Sequence, residues 1–425
     1  PTSNNLTTLL GSSITSGENS AAILFMDGSA SGATKISGNI STTGSGSHGI
    51  YFQPSVTGVG DHQVDISATI SSTGPSSSAL YHSGGSGNSF KLNEGTIIVG
   101  DITNTTKNAE LNFNLGQHTS YAYSISGSGV GTGAGQWTIN DNDGRNPAVS
   151  NNGSCVTGLS VCNLVTVVST GNAEVQNELQ HITNNALIGS MQLSENQVTS
   201  NTGSNTIIST KSDSQVNPEF RAWARLYGGT SKRTASAADT TISSFDTNSV
   251  GLTIGKPILL DTGPKLDLIF NGSTTNLNVG ASKTQQIKTK SYNFGGKVTN
   301  FVSLDDWDLA AFGFIGRNSY DSTRKVMNNN FSTGFETISA SYAGMGVLVG
   351  VDAQYSQPID ENLNFKGSVN ANLNYEEIGT YSESKYFAWG SRRMLQVAGG
   401  FTAGFEHQTD AMTTFGSVGA QRSSL

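Results

Sequence analysis

The chain has 425 residues, enough for two or three domains, and it is dominated by Gly, Ser, Thr and Asn. Only 13% of the residues are charged and the formal net charge is −8, a balance that excludes an ordinary helical enzyme and argues against a nucleic-acid partner. No run of eighteen apolar residues is present, which excludes a helical membrane span and leaves a membrane barrel open. The chain opens Pro1-Thr2-Ser3-Asn4-Asn5 with neither Met nor a signal peptide, so a fragment or a processed chain is expected.

Residues 1–171 contain weak repeats. Ala21-Ala22-Ile23-Leu24-Phe25 is echoed by His48-Gly49-Ile50-Tyr51-Phe52 and by Ser78-Ala79-Leu80-Tyr81-His82. The spacing is close to thirty residues. Between the echoes lie Ile36-Ser37-Gly38-Asn39-Ile40-Ser41 and Ile66-Ser67-Ala68-Thr69-Ile70-Ser71. Short strands returning at a fixed period, separated by Gly-Ser-Asn turns, predict a solenoid whose coils stack their few apolar residues. Only Lys35, Lys91, Lys107 and Arg145 are basic before residue 173, a poor stock for a polysaccharide-cleaving cleft.

Near the end of this region are the only cysteines, Cys155 and Cys162. They are read as a small-loop disulfide made in an oxidising compartment, against the alternative of two unrelated thiols. A metal site would need more ligands than this pair offers.

Residues 172–193 change period. Asn172 is a candidate N-cap, Glu174 lies in the first turn, and Val175, Leu179, Ile182 and Ala186 recur at helical spacing. The other face carries Gln176, Asn177, Gln180, His181, Asn184 and Asn185. An amide-rich face predicts a helix in a confined, hydrated pore, with a cap on the solenoid as the alternative. Residues 194–218 read as a polar linker.

From residue 219 to 425 nine long strands are expected, roughly 219–229, 245–257, 264–275, 287–300, 306–317, 335–356, 362–376, 391–407 and 411–421. Tight turns such as Pro358-Ile359-Asp360-Glu361 alternate with longer polar connections at 231–243, 318–333 and 378–390. In the stretch from Leu363 to Tyr375 every second residue is apolar or small, and Asn364, Lys366, Ser368, Asn370, Asn372 and Asn374 stand between them. Successive side chains of a strand point to opposite faces, so such strands predict a barrel with lipid outside and water inside. Arg225, Tyr342, Asp352, Asn364, Lys366, Asn370, Asn372 and also Arg221 are the expected lumen residues.

This order of parts resembles the monomeric autotransporters of the type V secretion class. Glu219-Phe220-Arg221-Ala222-Trp223-Ala224-Arg225-Leu226-Tyr227-Gly228-Gly229 is similar to the opening of their barrel, and Ser249-Val250-Gly251-Leu252-Thr253-Ile254-Gly255 to its second strand. Asp306-Trp307-Asp308-Leu309-Ala310-Ala311-Phe312-Gly313-Phe314 is similar to the strand after its second tight turn. The resemblance implies an all-β chain: a right-handed β-helical passenger, a linker helix in the lumen, and a transmembrane β-barrel. Nine strands against the family's twelve, and an end at Ser424-Leu425 without a terminal aromatic, imply a chain truncated at both ends. The resemblance further implies an outer-membrane location with the passenger at the cell surface. The implied partners are outer-membrane lipid, the barrel-assembly machinery and periplasmic chaperones. It implies a monomer without cofactor. Some family members cleave themselves between adjacent asparagines in the linker helix, which makes Asn184-Asn185 a candidate processing pair.

Signals for chemistry are weak. Gly28-Ser29-Ala30-Ser31-Gly32 lacks the central Ser of a nucleophile elbow. Gly129-Val130-Gly131-Thr132-Gly133-Ala134 opens no strand-to-helix unit. Asn140-Asp141-Asn142-Asp143-Gly144 resembles part of a calcium loop without its remaining ligands. The expected function is therefore a barrel that anchors and translocates an adhesive, non-enzymatic passenger with an unknown surface ligand. The alternatives are a secreted solenoid enzyme acting on polysaccharide and a porin with a periplasmic domain.

Overall fold

The computed structural model describes residues 6–26, 32–54, 62–151, 155, 162–169, 179, 183, 187, 206–212, 222–233, 244–258, 264–279, 285–304, 307–384, 386–408 and 413–424. Strands are numbered in chain order. The chain divides into two compact units: residues 1–170 with Lys325–Ile338, and residues 171–324 with 339–425.

The first unit is a solenoid. One parallel sheet stacks β1 (Leu6–Ser16), β3 (Gly32–Thr42), β5 (His62–Ser72), β7 (Ser89–Asn93), β10 (Ala109–Asn114) and β12 (Trp137–Asp141), with β8 (Ile97–Val99) also beside β5. A second stacks β2 (Ala21–Phe25), β4 (His48–Phe52), β6 (Ser78–His82), β9 (Asp101–Asn104) and β11 (Tyr121–Gly127), all parallel. Here β14 (Asn163–Val167) adds antiparallel to β11, and β13 (Ala148–Ser150) to β14. The three echoed segments of the sequence are β2, β4 and β6.

Register explains the repeat. Ile23, Ile50, Leu80, Ile102 and Ile125 are successive partners across the second sheet, and Ile36, Ile66 and Leu92 across the first. Their inward faces form one core with Phe52, Phe90, Phe113, Tyr123 and Trp137. Parallel stacking of like on like buries each coil's few apolar groups, which a single coil could not do. The turns are held by the same repetition. The Thr42 hydroxyl donates to Ser72 Oγ (2.8 Å) thirty residues on, and Ser47 Oγ donates to the Gly17 carbonyl.

Long antiparallel strands make up the second unit: β15 (Thr206–Ser212), β16 (Trp223–Arg233), β17 (Phe245–Ile258), β18 (Lys265–Val279), β19 (Gln285–Leu304), β20 (Trp307–Met327), β21 (Phe335–Pro358), β22 (Leu363–Ile378), β25 (Arg392–Gln408) and β26 (Thr413–Ser424). They belong to a sheet that closes into a barrel. Between β22 and β25 lies a small hairpin, β23 (Tyr381–Glu383) with β24 (Phe387–Trp389). In β17 exposed and buried residues alternate from Phe245 to Lys256, the period of a strand with two different solvents.

Two stretches differ from the sequence reading. Part of the expected polar linker is a strand, β15, paired with β16 from Thr206↔Thr230 to Ser212↔Ala224. The expected long connection at 318–333 is mostly strand, because β20 runs on to Met327. Asn328–Gly334 alone turn the chain, and this tip belongs to the solenoid unit. Asn329 there behaves as a spare peptide group. Its Nδ2 donates to the carbonyls of Gly100 (3.0 Å) and Ser124 (2.9 Å), and its Oδ1 accepts from the Ser124 amide (2.8 Å). Its backbone carbonyl accepts from the Gly100 amide (2.9 Å).

Candidate functional site in the barrel interior

The two faces of the barrel wall have opposite chemistry. Outward lie Leu226, Val250, Leu252, Ile254, Phe270, Phe294, Ile315, Val347, Val349, Val351, Val369, Leu373, Val397 and Phe401, all exposed. A soluble surface does not carry a continuous apolar band of this extent, and a lipid-facing wall requires one. Inward lie amides, hydroxyls and charges.

The predicted lumen residues separate into three groups. Arg225, Tyr342, Asp352 and Asn372 are buried, and Asn364, Lys366 and Asn370 are half-buried. Arg221, and the processing pair Asn184 and Asn185, lie outside the described residues. Asp352 and Asn370 are direct register partners on β21 and β22, and Asp352 Oδ2 accepts from Gln354 Nε2 (2.8 Å). Arg225 and Asp352 share the electrostatic surroundings of Lys297, together with Asp267 and Asp308. Charges of both signs thus lie within electrostatic reach of one another in this part of the interior.

Other interior residues escaped the sequence reading. Asn271 Nδ2 donates to the Tyr227 hydroxyl (2.9 Å) and to Thr253 Oγ1 (2.9 Å), a small hub across β16, β17 and β18. Glu376 is fully buried, and its Oε1 accepts from Tyr320 Oη (2.7 Å) and Asn318 Nδ2 (2.9 Å). The alternation expected along β22 extends to Glu376, but Asn318 and Tyr320 lie in the stretch expected to be a polar connection, so the pattern did not bring these groups together.

The interior also has two apolar clusters. One joins Phe245, Leu277, Val279, Ile287, Tyr320, Ala340, Tyr342 and Ile378, and the other Ile269, Phe312, Phe314 and Leu348. Each contains one residue from the segment expected to be helical: Leu179 in the first and Leu187 in the second. Leu179, Thr183 and Leu187 have helical backbone and are buried, and Thr183 Oγ1 donates to the Leu179 carbonyl (2.9 Å).

In the solenoid, the calcium-like turn carries its own cation. The Arg145 guanidinium lies 3.2 Å from Asp141 and 3.1 Å from Asp143, and donates to the carbonyls of Thr119 (2.7 Å) and Gln117 (3.2 Å). Asp141 also accepts from the Tyr121 hydroxyl (2.8 Å). Burial beside that carboxylate pushes the Tyr121 phenol well above its ordinary pKa. Among the described residues no group of three His, Cys, Asp or Glu could hold a metal ion. Cys155 and Cys162 are joined by a disulfide, their Cα atoms 5.6 Å apart.

Residues 222–424 match the protein-family model described as Autotransporter beta-domain. Similar solved structures include the outer membrane transporter YddB from Escherichia coli, with 11% identity over 52% of this chain and 34% of that one, at a TM-score of 0.26. The RagAB peptide transporter is similar at 14% identity over 52% of this chain and 32% of its own, at 0.25. The RagAB peptide importer in its closed-closed state is similar at 15% over the same shares, at 0.24. The chain thus spans about a third of the length of these structures. No curated protein matches it.

Proposed function

We propose, from the premise that this chain is an autotransporter-type outer-membrane protein, that its barrel anchors and translocates the solenoid, which is displayed as an adhesive passenger. The observation that carries the reading is the position of Leu179 and Leu187. They lie eight residues apart, and a helix rises about 12 Å over that span. Leu179 packs among residues near the long-connection ends of the strands, such as Phe245, Val279, Tyr342 and Ile378. Leu187 packs deeper, among Ile269, Phe312 and Leu348. A linker helix over residues 172–193, running through the lumen with its N-terminal end toward the long connections, accounts for both.

The passenger acts by binding rather than by chemistry. Its outward row on β4 and β6 presents Tyr51 and Tyr81 with His48 stacked on Tyr81, ring centroids 4.2 Å apart. Repeated polar turns flank this row. Folding the barrel into lipid calls on the barrel-assembly machinery and periplasmic chaperones, and the protein works as a monomer. Cleavage at Asn184-Asn185 would release the passenger, and the terminal residues of a released fragment test that step.

Protease treatment of intact cells tests the main reading. Fragments of residues 1–171 should be lost while 222–424 stay protected. A protected N-terminal half would instead favour a porin with a periplasmic domain.

A further inference from the structure

The connection between β22 and β25 does not behave as a solvent loop. Its hairpin buries Glu383 and Phe387, and both meet Arg324. Arg324 Nε donates to Glu383 Oε2 (2.8 Å), its Nη2 lies 2.6 Å from the same oxygen, and its guanidinium stands 4.5 Å from the centre of the Phe387 ring. The Tyr381 ring stacks on Tyr342 with centroids 4.0 Å apart, and Tyr342 stacks on Tyr320 at 5.0 Å. Trp389 extends the stack beyond Tyr381 at 5.9 Å. Arg392 donates to the Tyr381 hydroxyl (2.6 Å) and covers the Tyr381 and Trp389 rings.

The wall residues in this list decide where the hairpin sits. Tyr320 and Arg324 are on the buried, even-numbered row of β20, together with Ser322 and Val326. Tyr342 is on the matching row of β21, opposite in facing to the lipid-exposed Met345, Val347 and Val349. A hairpin that stacks on these rows has folded inward, into the mouth of the barrel. A loop that merely crossed the rim would leave an ion pair in water, where it contributes little. Here the pair is dry, and either charge alone would be a costly buried ion.

We infer that the β23–β24 hairpin is a gate, which closes the barrel interior at its long-connection end and must swing outward when a chain passes. Two latches hold it: the Tyr342–Tyr381 stack on one side and the Arg324–Glu383 pair on the other. Tyr381 also packs against the apolar cluster that holds Leu179. The segment that carries Leu179 and the closed gate therefore share one surface at the same time, and an occupied lumen and a closed gate are coupled states. This inference rests on the conduit reading of the barrel, but its test addresses the hairpin alone.

The test uses the whole chain in lipid vesicles and a bulky, membrane-impermeant maleimide. Ser322→Cys places a thiol on the inner row of β20 between Tyr320 and Arg324, under the hairpin. Asp360→Cys, on the exposed tight turn between β21 and β22, is the reference for reagent reactivity. With the native hairpin, Ser322→Cys should label slowly. Adding Glu383→Ala should speed its labelling at least about tenfold by shifting the gate toward open, while Asp360→Cys labels at an unchanged rate. Tyr381→Ala tests the other latch in the same way should Glu383→Ala fail to fold, as judged by heat-modifiable gel mobility. Equal Ser322→Cys rates with and without a loosened latch overturn the gate. Faster Ser322→Cys labelling that comes only with loss of heat-modifiable mobility also overturns it, because the barrel as a whole has then loosened.

Discussion

The ring of Tyr227 lies flat across Gly251, its direct partner on the neighbouring strand. A Cβ added at Gly251 would stand 2.3 Å from the ring carbon that carries the hydroxyl. The hydroxyl in turn accepts from Asn271 on the next strand, so one side chain ties β16, β17 and β18 together.

Gly251→Val should push the Tyr227 ring off this seat and break its bond to Asn271. Overpacking of this kind costs about 1–3 kcal/mol. The shift should appear as a lower denaturant midpoint for the folded barrel. Tyr227→Phe keeps the packing, loses only the hydrogen bond, and should cost about 1 kcal/mol. A Gly251→Val barrel as stable as the parent would show that the ring is not held there.

Val369 and Asn370 are neighbours on β22 with opposite facings. Val369 is 53% exposed on the apolar band, and Asn370 is the register partner of Asp352. Val369→Arg should destabilise the barrel in lipid by about 2–4 kcal/mol if it lies near the midplane. Asn370→Arg places the same charge beside Asp352 and should be far milder. Equal losses in urea titrations of the two variants would contradict the assigned facings.

The solenoid should weaken in acid. Burial lowers the pKa of His48, His62 and His82 below the ordinary histidine value, and for His82 a hydrogen bond to the Asn104 side-chain oxygen opposes this only in part. The unfolded chain then binds protons more readily than the folded one. Stability is fully present above the unfolded value of about 6.5 and is lost as pH falls from there through the lowered folded values. The thermal transition of the solenoid should move down between about pH 7 and pH 5, and His82→Gln should flatten the dependence. A transition unmoved over that range would remove the histidines from the account.

Calcium should not matter to the turn at Asp141–Arg145. Its two carboxylates already face an internal guanidinium. Chelator should leave the melting temperature unchanged. Arg145→Ala should cost about 3–5 kcal/mol, since it strands two partly buried carboxylates. A parent melting temperature that falls with chelator and recovers with added calcium would restore the metal reading.

The echoes at residues 21–25, 48–52 and 78–82 were legible because parallel stacking repeats the same inward residues at each turn. The barrel wall was legible for a related reason: lipid and lumen impose opposite demands on alternate residues from Val347 to Leu373. Past residue 317 that contrast disappears. Asp321, Thr323 and Lys325 are polar on the outer face of β20, so the strand could not be distinguished from a loop by pattern. The inward apolar residues Phe312, Phe314 and Leu348 departed from the expected polar interior because they pack in one cluster with Leu187 and Ile269. The β23–β24 hairpin has three-residue strands, too short to carry a period. Its anchoring by Arg324 and Tyr342 is a fact of tertiary structure alone.

Asn329 sets a limit on where this protein can be cut. Its bonds to Ser124 and Gly100 close sequence separations of 205 and 229 residues, against about 30 for the coil-to-coil bonds of the solenoid. A passenger ended at residue 170 would contain every coil yet lack the group that satisfies the Gly100 amide and carbonyl and both backbone groups of Ser124. Those buried groups would be left open to water or to a foreign strand edge. Contact order adds a second consequence. The final coils cannot reach their finished state until a stretch some two hundred residues later has been made and delivered. Until then the last coil is an unfinished edge, so its maturation is timed by the other half of the polypeptide.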